Sequence, residues 1–67
     1  MEFSVLMAVY RFDQPRFLDE ALHSIFSQTI MPKIVCVVKD GILTMELEGI
    51  LLKWEHILPL KIVGYDK

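Results

Sequence analysis

The chain has 67 residues, 54% of them apolar, and a formal charge of −2. This length is near the lower limit at which a single hydrophobic core holds a fold, and the apolar content excludes a disordered tail and favours one compact domain. The weakly acidic balance, with seven scattered Lys and Arg residues, excludes the basic surface typical of proteins that bind nucleic acids or anionic membranes.

Cysteine use and the N-terminal residues indicate the compartment. The single cysteine, Cys36, cannot form an internal disulfide and lies within an apolar run, which favours a reducing environment. Met1-Glu2 leads into a strand-like segment without the basic region of a signal peptide. No apolar run reaches the ~20 residues that a membrane span needs. We therefore expect a soluble, cytoplasmic protein.

The first predicted elements are a strand and an amphipathic helix. Residues 3–9 are almost all apolar and predict a strand, and residues 10–14 predict a loop. Pro15 suits the first turn of a helix, with Asp13 or Gln14 near its cap. Apolar residues then recur at helical spacing, namely Phe17, Leu18, Ala21, Leu22, Ile25 and Phe26. The polar residues Arg16, Asp19, Glu20, Ser24 and Ser27 take the opposite side.

A second strand follows and ends on an acid. The helix is expected to end at Gln28-Thr29, since Pro32 cannot continue it. Residues 34–38 are five apolar residues in a row, typical of a strand buried on both faces. Ligands of open α/β sheets bind just beyond the carboxyl ends of strands, so Asp40 stands where a ligand-reading acid would stand. The alternative is that Asp40 and Gly41 only form a strand-ending turn.

The remaining residues predict a second helix and a third strand. Thr44 is a good N-cap, and the apolar stripe that follows comprises Leu47, Ile50, Leu51 and Trp54, continued by Leu58. Pro59 closes the connection, and residues 60–63 predict a short strand. The order β-α-β-α-β predicts an α/β fold with a three-stranded parallel sheet, right-handed crossovers and both helices on one face.

This arrangement leaves one sheet face uncovered, although the strands are apolar on both sides. Residues of alternate parity, such as Leu6 and Ala8 or Val35 and Val37, would form a bare apolar surface. Such patches mark an interface or missing structure. We therefore expect either a missing C-terminal remainder that covers the open face or a homo-oligomer that does so.

Three segments in order carry a resemblance to a known family. Residues 3–10 resemble its opening strand and tyrosine, residues 17–29 resemble its first helix with the ending Ser-Ile-x-x-Gln-Thr, and residues 37–41 resemble its strand-end acidic motif. No segment is specific alone, but the ordered set spans almost the whole chain. The chain resembles the N-terminal part of family 2 glycosyltransferases, which have the GT-A fold of nucleotide-diphospho-sugar transferases.

The resemblance implies a fold, an activity and a binding site. Residues 1–67 would be a truncated nucleotide-binding subdomain, the N-terminal piece of a three-layer, Rossmann-like fold. The family transfers a sugar, commonly a hexose, from a nucleotide diphosphate to an acceptor hydroxyl, usually with Mg²⁺ or Mn²⁺. The implied nucleotide-binding residues are Ala8, Val9, Tyr10, Asp40 and Gly41. Tyr10 would pack on the base, and Asp40 would accept a hydrogen bond from its imino N–H, which suits a UDP-type donor.

The sequence departs from the family in two places and lacks its catalytic part. Lys39 replaces the first of two adjacent acids, and Arg11 stands where many members have asparagine. The family's Asp-x-Asp metal motif and general base lie beyond residue 67, and Asp66 stands alone. We therefore assign no catalytic residue, metal ligand or cofactor here, and expect weak or absent donor binding and no transferase activity. The alternative is a non-catalytic module that self-associates through its bare sheet face.

Overall fold

The computed structural model describes residues 2–65, with Tyr65 described by its backbone alone. The elements in chain order are strand β1 (Ser4–Tyr10), helix α1 (Pro15–Phe26), strand β2 (Ile34–Asp40), helix α2 (Met45–Glu55) and strand β3 (Leu60–Tyr65). The predicted order β-α-β-α-β is confirmed.

The three strands form one parallel sheet in the order β1-β2-β3, with β2 in the centre. Val35 and Val37 of β2 are completely buried beneath the helices, whereas the alternate residues Ile34, Cys36 and Val38 are only partly buried. Together the sheet and its helices make two layers, with both helices on one face. The predicted α/β fold class and its three-stranded parallel sheet are therefore confirmed.

The core lies between the sheet and the two helices. Leu22 of α1 and Leu47 of α2 are fully buried at its centre. The predicted apolar stripe of α1 is narrower than expected, because Phe17 and Phe26 remain 54% and 48% exposed at its margins. Leu43, in the connection before α2, was not predicted to be in the core but is only 6% exposed. It ties the loop after β2 to the core.

The helix ends are set by local hydrogen bonds. Helix α1 ends at Phe26, before the predicted Gln28. The Ser27 N–H still donates to the His23 carbonyl, four residues back, at 2.9 Å, whereas the Gln28 N–H donates to the Ile25 carbonyl, only three residues back, at 3.2 Å. At the start of α2, the Thr44 hydroxyl oxygen accepts from the Leu47 N–H at 3.3 Å. The prediction of Thr44 as N-cap is confirmed, and such a cap stabilises a helix by about 1 kcal/mol.

The two helices are joined by one polar cluster at their contact. The Trp54 indole N–H donates to Asp19 Oδ1 at 2.7 Å, and Lys53 Nζ lies 2.8 Å from the same oxygen. Trp54 is only 4% exposed, so this bond satisfies its one polar group. Asp19 was predicted on the solvent side of α1, and instead it bridges to α2. The hydrogen bond from Lys53 is the main cause that lowers the pKa of Asp19, and the bond from Trp54 adds to it.

The opposite face of the sheet has no cover in the described chain. On this face Leu6 is 75% exposed and Val63 is 40% exposed, and Ala8 of β1 is also exposed. The bare apolar face is thus confirmed. The prediction that Val35 and Val37 belong to this face was wrong, because both lie under the helices; the β2 residues on the open face are Cys36 and Val38. Within residues 2–65, neither helix has the length and apolar character that crossing a membrane requires.

Two adjacent leucines of α2 test the position of the core. Leu51 is 1% exposed and Leu52 is 63% exposed. Leu51→Ala is expected to lower the free energy of unfolding by about 2–5 kcal/mol, because it leaves a cavity between α2 and the sheet. Leu52→Ala is the matched control and is expected to change it by less than about 0.5 kcal/mol. Urea denaturation followed by circular dichroism measures both, and equal effects would contradict the burial described.

Acid sensitivity tests the cluster around Asp19. Its pKa in the folded protein lies below the ordinary value of 3.8, so the unfolded chain takes up the proton first as the pH falls. The stabilisation from Asp19 is therefore complete above about pH 3.8 and is lost as the pH falls through the lower, folded pKa. Asp19→Asn is expected to be less stable than the wild type at pH 7 and to lack this part of the acid loss.

The measurement is the urea midpoint at pH 7 and at steps below pH 4 for both proteins. Glu20→Gln removes a carboxylate from the next position of α1, where the side chain is exposed, and serves as the control. An acid dependence of Asp19→Asn identical to that of the wild type would show that the Asp19 contacts do not stabilise the fold.

Candidate functional site

Tyr10 and Asp40 meet at the carboxyl end of the sheet. They are direct partners in the β1–β2 register, and adjacent strands lie roughly 4.8 Å apart. Both point to the open face, where Tyr10 is 49% exposed and Asp40 is also exposed. The sequence placed both just beyond the strands, whereas each is the last residue of its strand. Tyr65 is the partner of Asp40 on the other side, so the ends of all three strands lie side by side.

Ala8 and Val9, predicted to hold the base with Tyr10, lie on opposite sides of the sheet. Ala8 pairs with Val38 and is exposed on the open face, two residues before Tyr10. Val9 is 1% exposed and belongs to the core beneath the helices. The side chain of Val9 is therefore not available to a ligand on the open face, whereas the methyl group of Ala8 is exposed there.

Gly41 turns the chain immediately after Asp40. Its φ angle is +85°, a conformation that glycine adopts readily and that strains other residues. A side chain there would meet no heavy atom within 4 Å, so the backbone conformation, and not a lack of space, favours glycine. Two residues later Leu43 enters the core and Thr44 caps α2. The turn after Asp40 is therefore held by strand β2 on one side and by the buried Leu43 and the helix cap on the other.

Lys39 points away from Asp40, towards the helices. Its ammonium lies 3.1 and 3.3 Å from the two carboxylate oxygens of Glu48 in the first turn of α2. A side-chain carbon at the neighbouring Gly64 would lie 3.7 Å from Lys39 Cε, in ordinary van der Waals contact with the lysine stem. The Lys39 side chain therefore lies off the open face that carries Asp40, and its charge is balanced by Glu48.

Asp13 forms two hydrogen bonds with the backbone of Tyr10. The Tyr10 N–H donates to Asp13 Oδ2 at 2.9 Å, and the Asp13 N–H donates to the Tyr10 carbonyl at 3.0 Å. Sequence reasoning put Asp13 near the cap of α1 and missed this role. The N-cap is Gln14, which makes no side-chain cap bond. The signal in the sequence is an aspartate three residues after a strand end, a type that often bonds to local backbone.

A separate groove lies on the helix side of β1. Its volume is about 260 Å³. Its lining is mostly apolar and includes Met7, Val9, Phe17 and Leu18, with Asp13 and Gln14 at one end. Tyr10 and Asp40 do not line it. Among the described residues, no three His, Cys, Asp or Glu side chains come together in a way that could hold a metal ion.

The chain is similar over nearly its whole length to three curated proteins. It is 45% identical over 66 residues to a protein of Escherichia coli named UDP-Gal:alpha-D-GlcNAc-diphosphoundecaprenol beta-1,3-galactosyltransferase, which covers 98% of this chain. It is 41% identical over 63 residues, 94% of the chain, to an uncharacterized glycosyltransferase of Haemophilus influenzae. It is 34% identical over 65 residues, 97% of the chain, to the amylovoran biosynthesis glycosyltransferase AmsE of Erwinia amylovora.

The match covers a minor part of each relative. The chain spans 24% of the length of all three proteins. No protein-family model matches the chain. No solved structure matches it either. These three relatives are glycosyltransferases by name, and each is about four times as long as this chain.

Proposed function

We propose that this chain is the nucleotide-binding part of a family 2 glycosyltransferase of the GT-A fold, and that Tyr10 and Asp40 read the base of the sugar donor. The observation that carries the proposal is their register, which makes an exposed aromatic ring and an exposed carboxylate immediate neighbours at the carboxyl end of the sheet. This is the end at which open α/β sheets bind ligands. The three similar glycosyltransferases support it.

The chemistry of the pair favours a uracil base. The Tyr10 ring offers a face on which any flat base can stack. An ionised carboxylate only accepts hydrogen bonds, so Asp40 matches the imino N–H of uracil and opposes the bare ring nitrogen of cytosine at the same position. The name of the Escherichia coli relative includes a UDP sugar, which agrees with this preference. A UDP-sugar is therefore the proposed donor.

Sugar transfer is proposed for the longer protein that such relatives represent. It requires a general base for the acceptor hydroxyl and stabilisation of the leaving diphosphate. The Mg²⁺ or Mn²⁺ usual in the family has no fitting ligand set among the described residues. The contribution proposed for this chain is to bind and orient the base.

Titration with UDP tests the proposed base site. Amide shifts of the isotopically labelled chain are expected around Val9, Tyr10, Asp40 and Gly41, both with and without Mn²⁺, because the base contacts need no metal. Tyr10→Ala is expected to weaken binding about tenfold through loss of stacking. Asp40→Asn is expected to weaken it by a similar factor and to reduce the preference for uridine over cytidine.

The control is Glu55→Gln, which removes one exposed carboxylate at the far end of α2. It is expected to bind UDP like the wild type. A folded wild-type spectrum that does not respond to UDP would contradict base binding by this chain. If the wild type bound uridine and cytidine equally well, base binding would stand, but the proposed role of Asp40 in selecting uracil would be contradicted.

A second candidate function is self-association through the open sheet face. The observation that favours it is the 75% exposure of Leu6 on a face where each strand presents at least one apolar side chain, with Lys61 of β3 also on this face. Exposed apolar patches of this kind often mark interfaces. In this hypothesis the chain is a non-catalytic interaction module, and a second copy covers the face.

Light scattering over a range of concentrations tests this second function. Self-association predicts a mass that rises with concentration and falls to that of a monomer in Leu6→Lys, because an ammonium on the face must be desolvated. Leu52→Lys introduces the same charge at a leucine that is also exposed, on α2, and is expected to leave the mass unchanged. A folded wild-type monomer at every concentration would exclude self-association.

A further inference from the structure

We infer that Asp13 is a positioning residue for Tyr10, and that it sets the orientation of the aromatic ring on which the base stacks. The inference rests on the proposed function, since it concerns the same binding site. Asp13 does not need to touch the ligand in this role. It acts through the two hydrogen bonds that its carboxylate and its backbone N–H form with the backbone of Tyr10.

The neighbouring strand cannot supply these bonds. The Phe3 carbonyl accepts from the Lys33 N–H at 2.8 Å, so it points towards the β2 side of the strand. Backbone groups of successive residues in a strand point alternately to its two edges. The N–H and carbonyl of Tyr10, seven positions on, therefore point away from β2. Within the described residues, β1 pairs with β2 only, and Asp13 bonds to both outward groups of Tyr10.

The Asp13 carboxylate also forms no hydrogen bond with the helix that follows it. In the first turn of α1, the N–H groups of Phe17 and Leu18 both donate to the Gln14 carbonyl, at 3.0 and 3.3 Å. The carboxylate of Asp13 turns back to the strand instead. Its one described side-chain bond is the 2.9 Å contact with Tyr10. The short loop after β1 is thereby closed onto the last residue of the strand.

Closure of this loop matters for stacking because Tyr10 ends its strand. Without the bonds to Asp13, the outward N–H and carbonyl of this terminal residue would have no partner. Its backbone angles could then change, and the Tyr10 ring would move with them. Fixing the backbone before the ligand arrives removes that ordering cost from binding. The ring of Tyr10 is 49% exposed, so packing alone restrains it only in part. The bonds to Asp13 supply the remaining restraint.

The experiment compares Asp13→Ala, Asp13→Asn and the wild type in titrations with uridine and with UDP. Asp13→Ala is expected to weaken binding of both ligands about fivefold, the effect of losing one hydrogen bond. Asp13→Asn keeps a side-chain oxygen acceptor and is expected to stay within about twofold of the wild type. Glu20→Ala removes an equal charge from an exposed position of α1 and is expected to bind like the wild type.

Hydrogen exchange of the Tyr10 amide provides a measurement that does not depend on the ligand. It is expected to be faster in Asp13→Ala than in the wild type, and restored in Asp13→Asn. Urea midpoints of all variants separate a local effect at Tyr10 from general loss of stability. The affinities are compared under conditions where each variant is more than nine-tenths folded.

The outcomes distinguish this inference from the proposed function. If the folded wild type does not respond to uridine or UDP, the proposed function fails and the inference fails with it. If the wild type binds and Asp13→Ala binds equally well, the inference alone is overturned, even where exchange of the Tyr10 amide is faster. Binding by Asp13→Asn as weak as that of Asp13→Ala would overturn it too, because the carboxylate charge would then be the cause.

Discussion

The burial of the central strand β2 against both helices is the constraint on which the rest of the structure depends. Val35 and Val37 are completely buried, and this fixes which alternate residues of β2 face the helices. A shift of one position would send the other set to the core and reverse every side chain of the strand. Through the parallel register, the same choice decides that Asp40 and its partner Tyr10 lie on the open face. Packing at one end of the strand thus determines chemistry at the other.

The candidate site consists of a few side chains held by contacts that lie outside it. Asp40 is fixed by the turn at Gly41 and by the burial of Leu43 just after it. Tyr10 is fixed by its bonds to Asp13. The two side chains that would meet a ligand remain exposed, while their backbones are restrained. This division suits a binding site, because a restrained backbone lowers the ordering cost of binding without covering the ligand.

Much of the fold could be predicted from the sequence, because helical and strand periodicities are strong in a short α/β chain. Strand ends were less accurate, since the apolar pattern stops before Tyr10 and Asp40 while backbone pairing continues through them. Leu43 was missed because one apolar residue in a loop has no period. The hydrogen bonds that the Asp13 and Asp19 carboxylates accept could not be predicted, since an aspartate has several possible backbone and side-chain partners. The choice between the two apolar faces of β2 needed three-dimensional packing.

The agreement between strand order and chain order has a consequence for how the protein folds. Every pair in the β1–β2 register joins residues thirty positions apart, and every pair in the β2–β3 register joins residues twenty-five apart. Neither strand pairing therefore requires a segment that is far away in the sequence. During synthesis from the N-terminus, β1, α1 and β2 can therefore assemble before α2 and β3 leave the ribosome, and the later pair adds to an existing edge. The sheet can grow in one direction, without displacing a strand that is already in place.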